Sequence, residues 1–373
     1  MQKVLTAEQM REVDRLTTGR SERKDVSRWL AASRFSDDSY KNKRGHALIV
    51  AGSADYSGAA VMCGNAAMRS GVGLTTLLVP ASCKVEVASR IIPEVIVRAI
   101  EETDGEVSPD AFAANEDTIR LADSILVGPG LKATDKGVEK FVREIVEARE
   151  VPVIMDAGAL WFCNPPDGLV KDQTFPNSPP YEGGVASAPP FGADDGVVLF
   201  LGDNQVESDL GAENHPAAEA APLLRKEGSL PAPLILTPHE GEFMRLLGTD
   251  DKDAIKDRVA AVRDFAVANN VILVLKGERV LIGSPDGRVV VNPTGNSGLG
   301  KAGNGDTLAG ILAGFVAQAV KFDIDIFETV VAAVYVAGMA GDVAEKKYGK
   351  RVMTASDVRE CMVDVFAEFE KKE

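Results

Sequence analysis

From Arg44 onward the chain alternates between two textures. Short apolar runs rich in Val, Ile and Leu stop at a glycine or a polar turn, and stretches with helical spacing lie between them. "HALIVAGS" reads as a buried strand ending in a Gly-Ser turn, "GAAVMCGNAAMRSGVG" as a helix of small residues, and "LTTLLVP" as the next strand. The unit recurs as the strand "SILVGPGL", the amphipathic helix "GVEKFVREIVEA" and the strand "VPVIMDAGAL". Further on come "LILTPHEGEF", a helix around "DRVAAVRDFAVANN" and the strand "VILVLKGE". "RVLIGSPDGRVVVN" predicts a hairpin, because Pro-Asp-Gly separates two alternating runs. "TLAGILAGFVAQAV" is a long apolar helix, and two or three helices are expected from Ile324 to the end. Buried strands alternating with helices predict an α/β fold with a mostly parallel sheet covered on both faces.

Two segments break this rhythm. Residues 1–45 are rich in charge and serine, with an amphipathic turn at Thr6–Leu16 that Thr6 and Gln9 could close as a capping box. Cys163 to Pro233 holds "NPPDG", "FPNSPPYEGG" and "SAPPFGADDG", a density of proline and glycine that marks an insertion. Within it "VVLFLG" has the texture of a short strand.

Composition narrows the function classes. A chain of 373 residues with 45% hydrophobic content can bury a large core. A net charge of -15 argues against nucleic acid or an anionic membrane surface as partner. The apolar runs fall short of a membrane span, and the N-terminus resembles neither a signal nor a transit peptide. Four widely spaced cysteines (Cys63, Cys83, Cys163, Cys361) fit no zinc or disulfide pattern and read as free thiols in a reducing cytoplasm.

Ligands of open parallel sheets sit beyond the carboxyl ends of the strands, so the residues after each strand carry the chemistry. The richest such stretch is "NPTGNSGLGKAGNGDTLAGILAGF", with five glycines before Asp306. Gly303, Asn304 and Gly305 would offer backbone N–H groups and a helix dipole to a developing negative charge, and Asp306 could take a proton from a substrate hydroxyl. A bare helix cap is the alternative role for that aspartate. Lys276 after "VILVL" could meet a phosphate, or simply be solvated. His239 follows another strand with Glu240 and Glu242 beside it, and a structural role is the alternative. Asp156 could reach magnesium through water or bind a substrate hydroxyl, or be a turn residue. No direct protein ligands for a metal are evident. Neither a P-loop nor a dinucleotide fingerprint occurs, so a nucleotide site must be of another design.

Taken in order, "HALIVAGSADYSGAAVMCGNAAMRSGVGLTTLLVP", "ILVGPGL", "VPVIMDAGAL", "ILTPHEGEF", "LKGERVLI" and the glycine stretch resemble the ADP/ATP-dependent (S)-NAD(P)H-hydrate dehydratases. The resemblance implies a three-layer α/β/α ribokinase-like fold with a mostly parallel central sheet over 44–373. A Pro/Gly-rich insertion at about 163–233 interrupts it. It implies a lyase of metabolite repair that restores hydrated NADH or NADPH with ADP or ATP as phosphoryl donor and Mg2+ bound with the nucleotide. Carried over residue by residue, Asp306 is the catalytic base. Ala59, Gly130, His239 and Asp306 face the hydrated NAD(P)H, while Lys276, Gly277, Glu278, Arg279, Val280, Gly303, Asn304 and Gly305 face the adenine nucleotide.

Three positions depart from the family pattern: Gly158 replaces a second aspartate, Lys132 replaces a glycine, and Ala302-Gly303 replaces a glycine pair. Residues 1–43 form an N-terminal helical extension in this reading. Their "VLTAEQMREVDRLT" resembles the start of a fused epimerase domain, and no epimerase activity is expected. Small-residue helices permit close subunit packing, so a cytoplasmic homo-oligomer is expected. The rival readings are a ribokinase-like kinase of a vitamin-precursor alcohol and a non-catalytic nucleotide-binding protein.

Overall fold

The structure, a computed structural model, describes residues 19–103, 106–163 and 232–370. The Thr6–Leu16 turn and the "VVLFLG" strand lie outside the described residues. In chain order the first elements are β1 (Gly19–Arg20), α1 (Arg23–Ala32), β2 (His46–Val50), α2 (Ser57–Arg69), β3 (Leu74–Pro80), α3 (Lys84–Arg90) and β4 (Ile96–Ile100). A small hairpin, β5 (Glu102–Thr103) and β6 (Glu106–Val107), precedes α4 (Ala111–Arg120), β7 (Ser124–Val127), α5 (Lys136–Glu147) and β8 (Val153–Met155). Then come β9 (Leu234–Leu236), α6 (Glu240–Leu246), α7 (Arg258–Asn269), β10 (Ile272–Leu275), β11 (Leu281–Gly283) and β12 (Val289–Val291). Three helices close the chain: α8 (Asn304–Phe322), α9 (Ile326–Tyr348) and α10 (Ala355–Glu370).

Among the described residues, ten strands form one sheet in the order β1-β12-β11-β10-β9-β8-β7-β2-β3-β4. All neighbours pair parallel except β11, which runs against both β10 and β12. The expected hairpin is thus β11–β12, with Gly287 at φ 90° supplying the turn that a side chain would resist. Both faces of the sheet are apolar, as uninterrupted Val/Ile/Leu runs require. Ala47 and Ile49 of β2 point into one core with α1, α2, α8, α9 and α10, whereas Leu48 and Val50 point into the other with α4 to α7. This is the three-layer α/β/α arrangement.

Several details differ from the sequence expectation. The run "VPVIMDAGAL" does not stay extended: β8 stops at Met155, Ala157 takes φ 49°, and Ala157–Cys163 winds as a 3-10 helix. The turn frees Asp156 to point its side chain past the strand end. The described part of the first 43 residues joins the main core. There β1 extends the sheet beside β12, and Trp29 of α1 stacks on Phe315 of α8 at 4.2 Å. The absence of a membrane-length apolar run also needs correcting, since α9 is long and apolar enough to cross a membrane by length and composition. Its residues Phe327, Val330, Val334 and Val336 are buried in the protein core, which accounts for that apolarity. All four cysteines are free and buried, packing as small apolar residues.

Tight packing of α8 on α2 fixes the long helix relative to the sheet. A Cβ at Gly310 would lie 2.3 Å from the Cys63 carbonyl oxygen, and one at Gly314 would collide with Ser70 Oγ. Only glycine lets the two backbones approach so closely. The N-terminus of α8 is therefore held rigidly at the rim.

Candidate active site

The strand order reverses at β2, with β3 and β4 on one side and β7 onward on the other. A crevice opens at such a switch point beyond the carboxyl ends of the two central strands, here β2 and β7. Gly52 follows β2, and its N–H donates to the Pro129 carbonyl at 2.8 Å. Gly130 takes φ 70°, and a Cβ there would lie 2.8 Å from Ala59 Cβ and 2.9 Å from the Tyr56 oxygen. Ala59 and Gly130 are thus brought into contact from two different strand-to-helix turns. Their small size is what lets these two turns pack so closely together.

The next strands contribute a buried polar chain. Asp156 after β8 is 2% exposed and accepts from Thr237 Oγ1 (2.8 Å) and from the Lys276 ammonium (2.6 Å) on the same Oδ1. Lys276 follows β10 and also lies 3.9 Å from Glu242. Its environment overturns the solvated-lysine alternative. Burial alone would pull its pKa down, but the Asp156, Glu242 and Asp306 carboxylates outweigh that, and the ammonium is held above its ordinary value. The charge is committed to Asp156 in this structure rather than free. His239 caps α6: its Nδ1 accepts from the Glu242 N–H (3.1 Å), and the Glu242 carboxylate accepts from the His239 N–H (2.7 Å). The ring therefore has a structural task, while more than half of its side chain stays exposed.

Asp306 stands in the first turn of α8, three residues after the N-cap Gly303, whose φ is 88°. It is not the cap, and its carboxylate makes no hydrogen bond to a described residue. A Cβ on Gly305 would lie 3.7 Å from Lys276 Nζ, so the ammonium sits directly under this helix start. Burial pushes the Asp306 pKa up to about 6, with the Asp156 carboxylate adding to the rise and Lys276 opposing it. Cys63 ties this cluster to α2. Its thiol is pushed up by burial first, then by the charges of Asp306 and Asp156. Ala59, one turn earlier on α2, is thereby placed on the same side as the acid. A partly desolvated carboxylate with its pKa raised to about 6, beside N–H groups and an ammonium, can accept a proton while negative charge is stabilised next to it.

Gly277 to Val280 form the connection between β10 and β11, with Gly277 at φ 154° and Arg279 at φ 57°. The buried guanidinium of Arg258 in α7 donates to the Glu278 carbonyl at 2.8 Å. Neither Arg258 nor Thr237 was singled out from the sequence. Thr237 sits in the strand-end motif "LTPHEGEF", where a signal existed, whereas the helical position of Arg258 carried none. Among the departures, Gly158 leaves no space for a side chain, since a Cβ would meet the Leu131 oxygen at 2.5 Å. Lys132 and Ala302 are exposed.

A parallel α/β/α sheet whose rim gathers a glycine-started helix, its aspartate and a buried lysine defines a ribokinase-like protein. A ribokinase-like superfamily structure from Enterococcus faecalis has the same fold (TM-score 0.63, 21% identity, 99% of each chain covered). The profile described as NAD(P)H-hydrate dehydratase matches residues 47–174 and 220–363, and the chain belongs to that family. It is 30% identical to the ADP-dependent (S)-NAD(P)H-hydrate dehydratase of Bacillus subtilis, over 89% of this chain and 93% of that one. The solved ADP/ATP-dependent dehydratase from Bacillus subtilis, co-crystallised with ATP/Mg2+, superposes with a TM-score of 0.66 at 25% identity, covering 94% of this chain and 98% of that one. The bifunctional NAD(P)H-hydrate repair enzyme Nnr of Moorella thermoacetica is 29% identical over 89% of this chain, which spans about half (51%) of that relative's length.

Proposed function

We propose that this protein is an ADP- or ATP-dependent (S)-NAD(P)H-hydrate dehydratase, a hydro-lyase that restores damaged nicotinamide dinucleotides. The observation that carries the proposal is Asp306: a carboxylate without a hydrogen-bond partner among the described residues, its pKa raised to about 6, at a glycine-started helix N-terminus beside the Lys276–Asp156 pair.

Hydroxide is a poor leaving group, so the ring hydroxyl is first converted to a phosphate ester. Asp306 accepts the hydroxyl proton while the ring oxygen bonds to the terminal phosphorus of the donor. The bond to the rest of the nucleotide breaks, releasing AMP from ADP or ADP from ATP. N–H groups of Gly303 to Gly305 stabilise the negative charge on the transferred group, and Lys276, anchored on Asp156 beneath the helix start, adds its positive field without being a free phosphate ligand. The ring C–O bond then breaks, phosphate leaves with the electron pair, and loss of a neighbouring ring proton restores the double bond. Ala59, Gly130 and His239 line the hydrated-dinucleotide side, and 276–280 the nucleotide side.

The residues fit a metal carried in by the nucleotide. Among the described residues no three His, Cys, Asp or Glu side chains are grouped to hold an ion, while Asp156, Glu242 and Asp306 surround a single ammonium. That excess of negative charge would suit Mg2+ held by phosphates and water, and Asp156 is the protein carboxylate that would face it through water. When bound, the ion neutralises phosphate charge. We place the enzyme in the cytoplasm as a homo-oligomer, which size-exclusion chromatography with light scattering and cell fractionation test.

The decisive assay incubates purified protein with hydrated NADH or NADPH, Mg2+, and ADP or ATP in parallel. Return of reduced-nicotinamide absorbance with stoichiometric phosphate supports the reading and names the donor. Phosphate release without recovery, or no response to either donor, overturns it in favour of an idle hydrolase or a kinase.

A further inference from the structure

Arg258 is 6% exposed, yet two of its donors, Nε and Nη2, are buried without a hydrogen-bond partner among the described residues. Its Nη1 holds the Glu278 carbonyl at 2.8 Å. Its Nε lies 3.4 Å from Glu240 Oε1, an ion-pair contact outside hydrogen-bond alignment. Native structures rarely leave charged donors buried and idle, so this arrangement needs an explanation. Glu278 sits in the middle of the β10–β11 connection, flanked by the positive φ angles of Gly277 and Arg279. Glu240 is the first residue of α6, next to His239. One guanidinium therefore spans two segments assigned to different ligands. Side-on engagement of the Glu240 carboxylate would satisfy both spare donors at once, the bidentate geometry guanidinium favours.

We propose that Arg258 is the positioning residue of the adenine-nucleotide side: it holds residues 276–280 through the Glu278 carbonyl, and nucleotide binding draws Glu240 into the bidentate pair. This rests on the assignment of 276–280 to the nucleotide. Arg258 touches no reacting atom, and its removal affects nucleotide affinity rather than the chemical step.

The test measures Kd for Mg-ADP and Mg-ATP by calorimetry, independent of turnover, together with kcat and both KM values. Arg258→Met should weaken the preferred nucleotide about tenfold or more, the usual effect of losing a charged hydrogen bond. The KM for hydrated dinucleotide should stay within about twofold. Arg258→Lys should recover part of the affinity, because it keeps one charged donor for the carbonyl. Glu240→Gln should weaken nucleotide in the same direction, and the double variant should be no worse than Arg258→Met alone. Unchanged nucleotide affinity in Arg258→Met, or equal loss at both substrates, overturns the proposal. Should Arg258→Met fail to fold, Glu240→Gln decides by the same criterion. Wild-type protein that binds nucleotide without restoring nicotinamide would sink the dehydratase reading and leave the Arg258 comparison valid. Wild-type protein that binds neither nucleotide overturns both.

Discussion

Asp306 makes opposite demands on stability and on rate. Its folded pKa of about 6 lies above the ordinary 3.8, so the folded state favours the protonated form. Stability is therefore fully present below pH 3.8 and is lost as pH rises through 6, by no more than ~3 kcal/mol for a shift of this size. In the proposed reaction Asp306 acts as the deprotonated base, so activity should fall about tenfold per pH unit below pH ~6. Asp306→Asn should lose roughly a hundredfold to ten-thousandfold in kcat yet unfold at a higher temperature than wild type at pH 8, the difference vanishing near pH 4. Calorimetric melting at both pH values checks the sign, and a variant less stable at pH 8 would refute the assigned desolvation. Lys276 is a contrasting case. Lys276→Met leaves Asp156 buried with Thr237 as its remaining hydrogen-bond partner. Breaking a buried pair in this way costs about 3–5 kcal/mol, so a large drop in the urea midpoint should accompany lost activity.

Helix α8 carries the acid, and its placement depends on glycines that no catalytic argument selects. At Gly310, alanine would gain up to about 1 kcal/mol in helix propensity. The same methyl would sit 2.3 Å from the Cys63 carbonyl oxygen, part of a backbone that cannot swing aside. Overpacking of this kind costs about 1–3 kcal/mol, so the clash wins. Gly310→Ala should lower the melting temperature and displace the N-terminus of α8, reducing kcat though the substitution lies one turn beyond Asp306. A melting temperature equal to wild type would show that α2 and α8 can separate without penalty. The glycine-rich run was legible as a sequence signal because so many glycines in a row have little other use. The division of labour within it was not. Gly303 supplies a positive φ and Gly310 a close approach, and the letter is the same.

The connection between β8 and β9 frames the longest departure from the family. These strands are parallel neighbours, so the chain must cross over between them, which takes a dozen or more residues. The family profile skips 175–219. Deleting that segment leaves 11 residues after Cys163 and 12 before Ala232, enough for the crossover together with the 3-10 helix. A variant lacking 175–219 should fold, melt cooperatively and keep dehydratase activity within about tenfold; circular dichroism and the absorbance assay would show it, and loss of cooperative melting would assign the segment to the core.

Buried strands were readable because unbroken runs of Val, Ile and Leu can satisfy both their backbone and their side chains only inside a covered parallel sheet. Strand-end glycines and polar residues were readable for a related reason: a chain that leaves such a sheet must turn at once. Those two local constraints predicted β2, β3, β7, β8, β9, β10 and the hairpin, and they pointed to Asp306, Lys276 and His239. A helical extension was expected over 1–43, but edge strand β1 and the docking of α1 on the main core were not, because a two-residue strand and a short charged helix carry almost no periodic signal. Interactions between distant residues belong to the tertiary structure. The lock of Lys276 on Asp156, 120 positions apart, turns a possible free phosphate ligand into half of a buried pair. The donors of Arg258 left without a hydrogen-bond partner among the described residues likewise arise only once separate segments meet, whereas the capping of α6 by His239 is local, made with Glu242 three residues on. Desolvation of Asp306 is the clearest instance. Any aspartate has the same carboxyl, but only the packing of α8 against α2 and the charge of Asp156 bring its pKa to about 6.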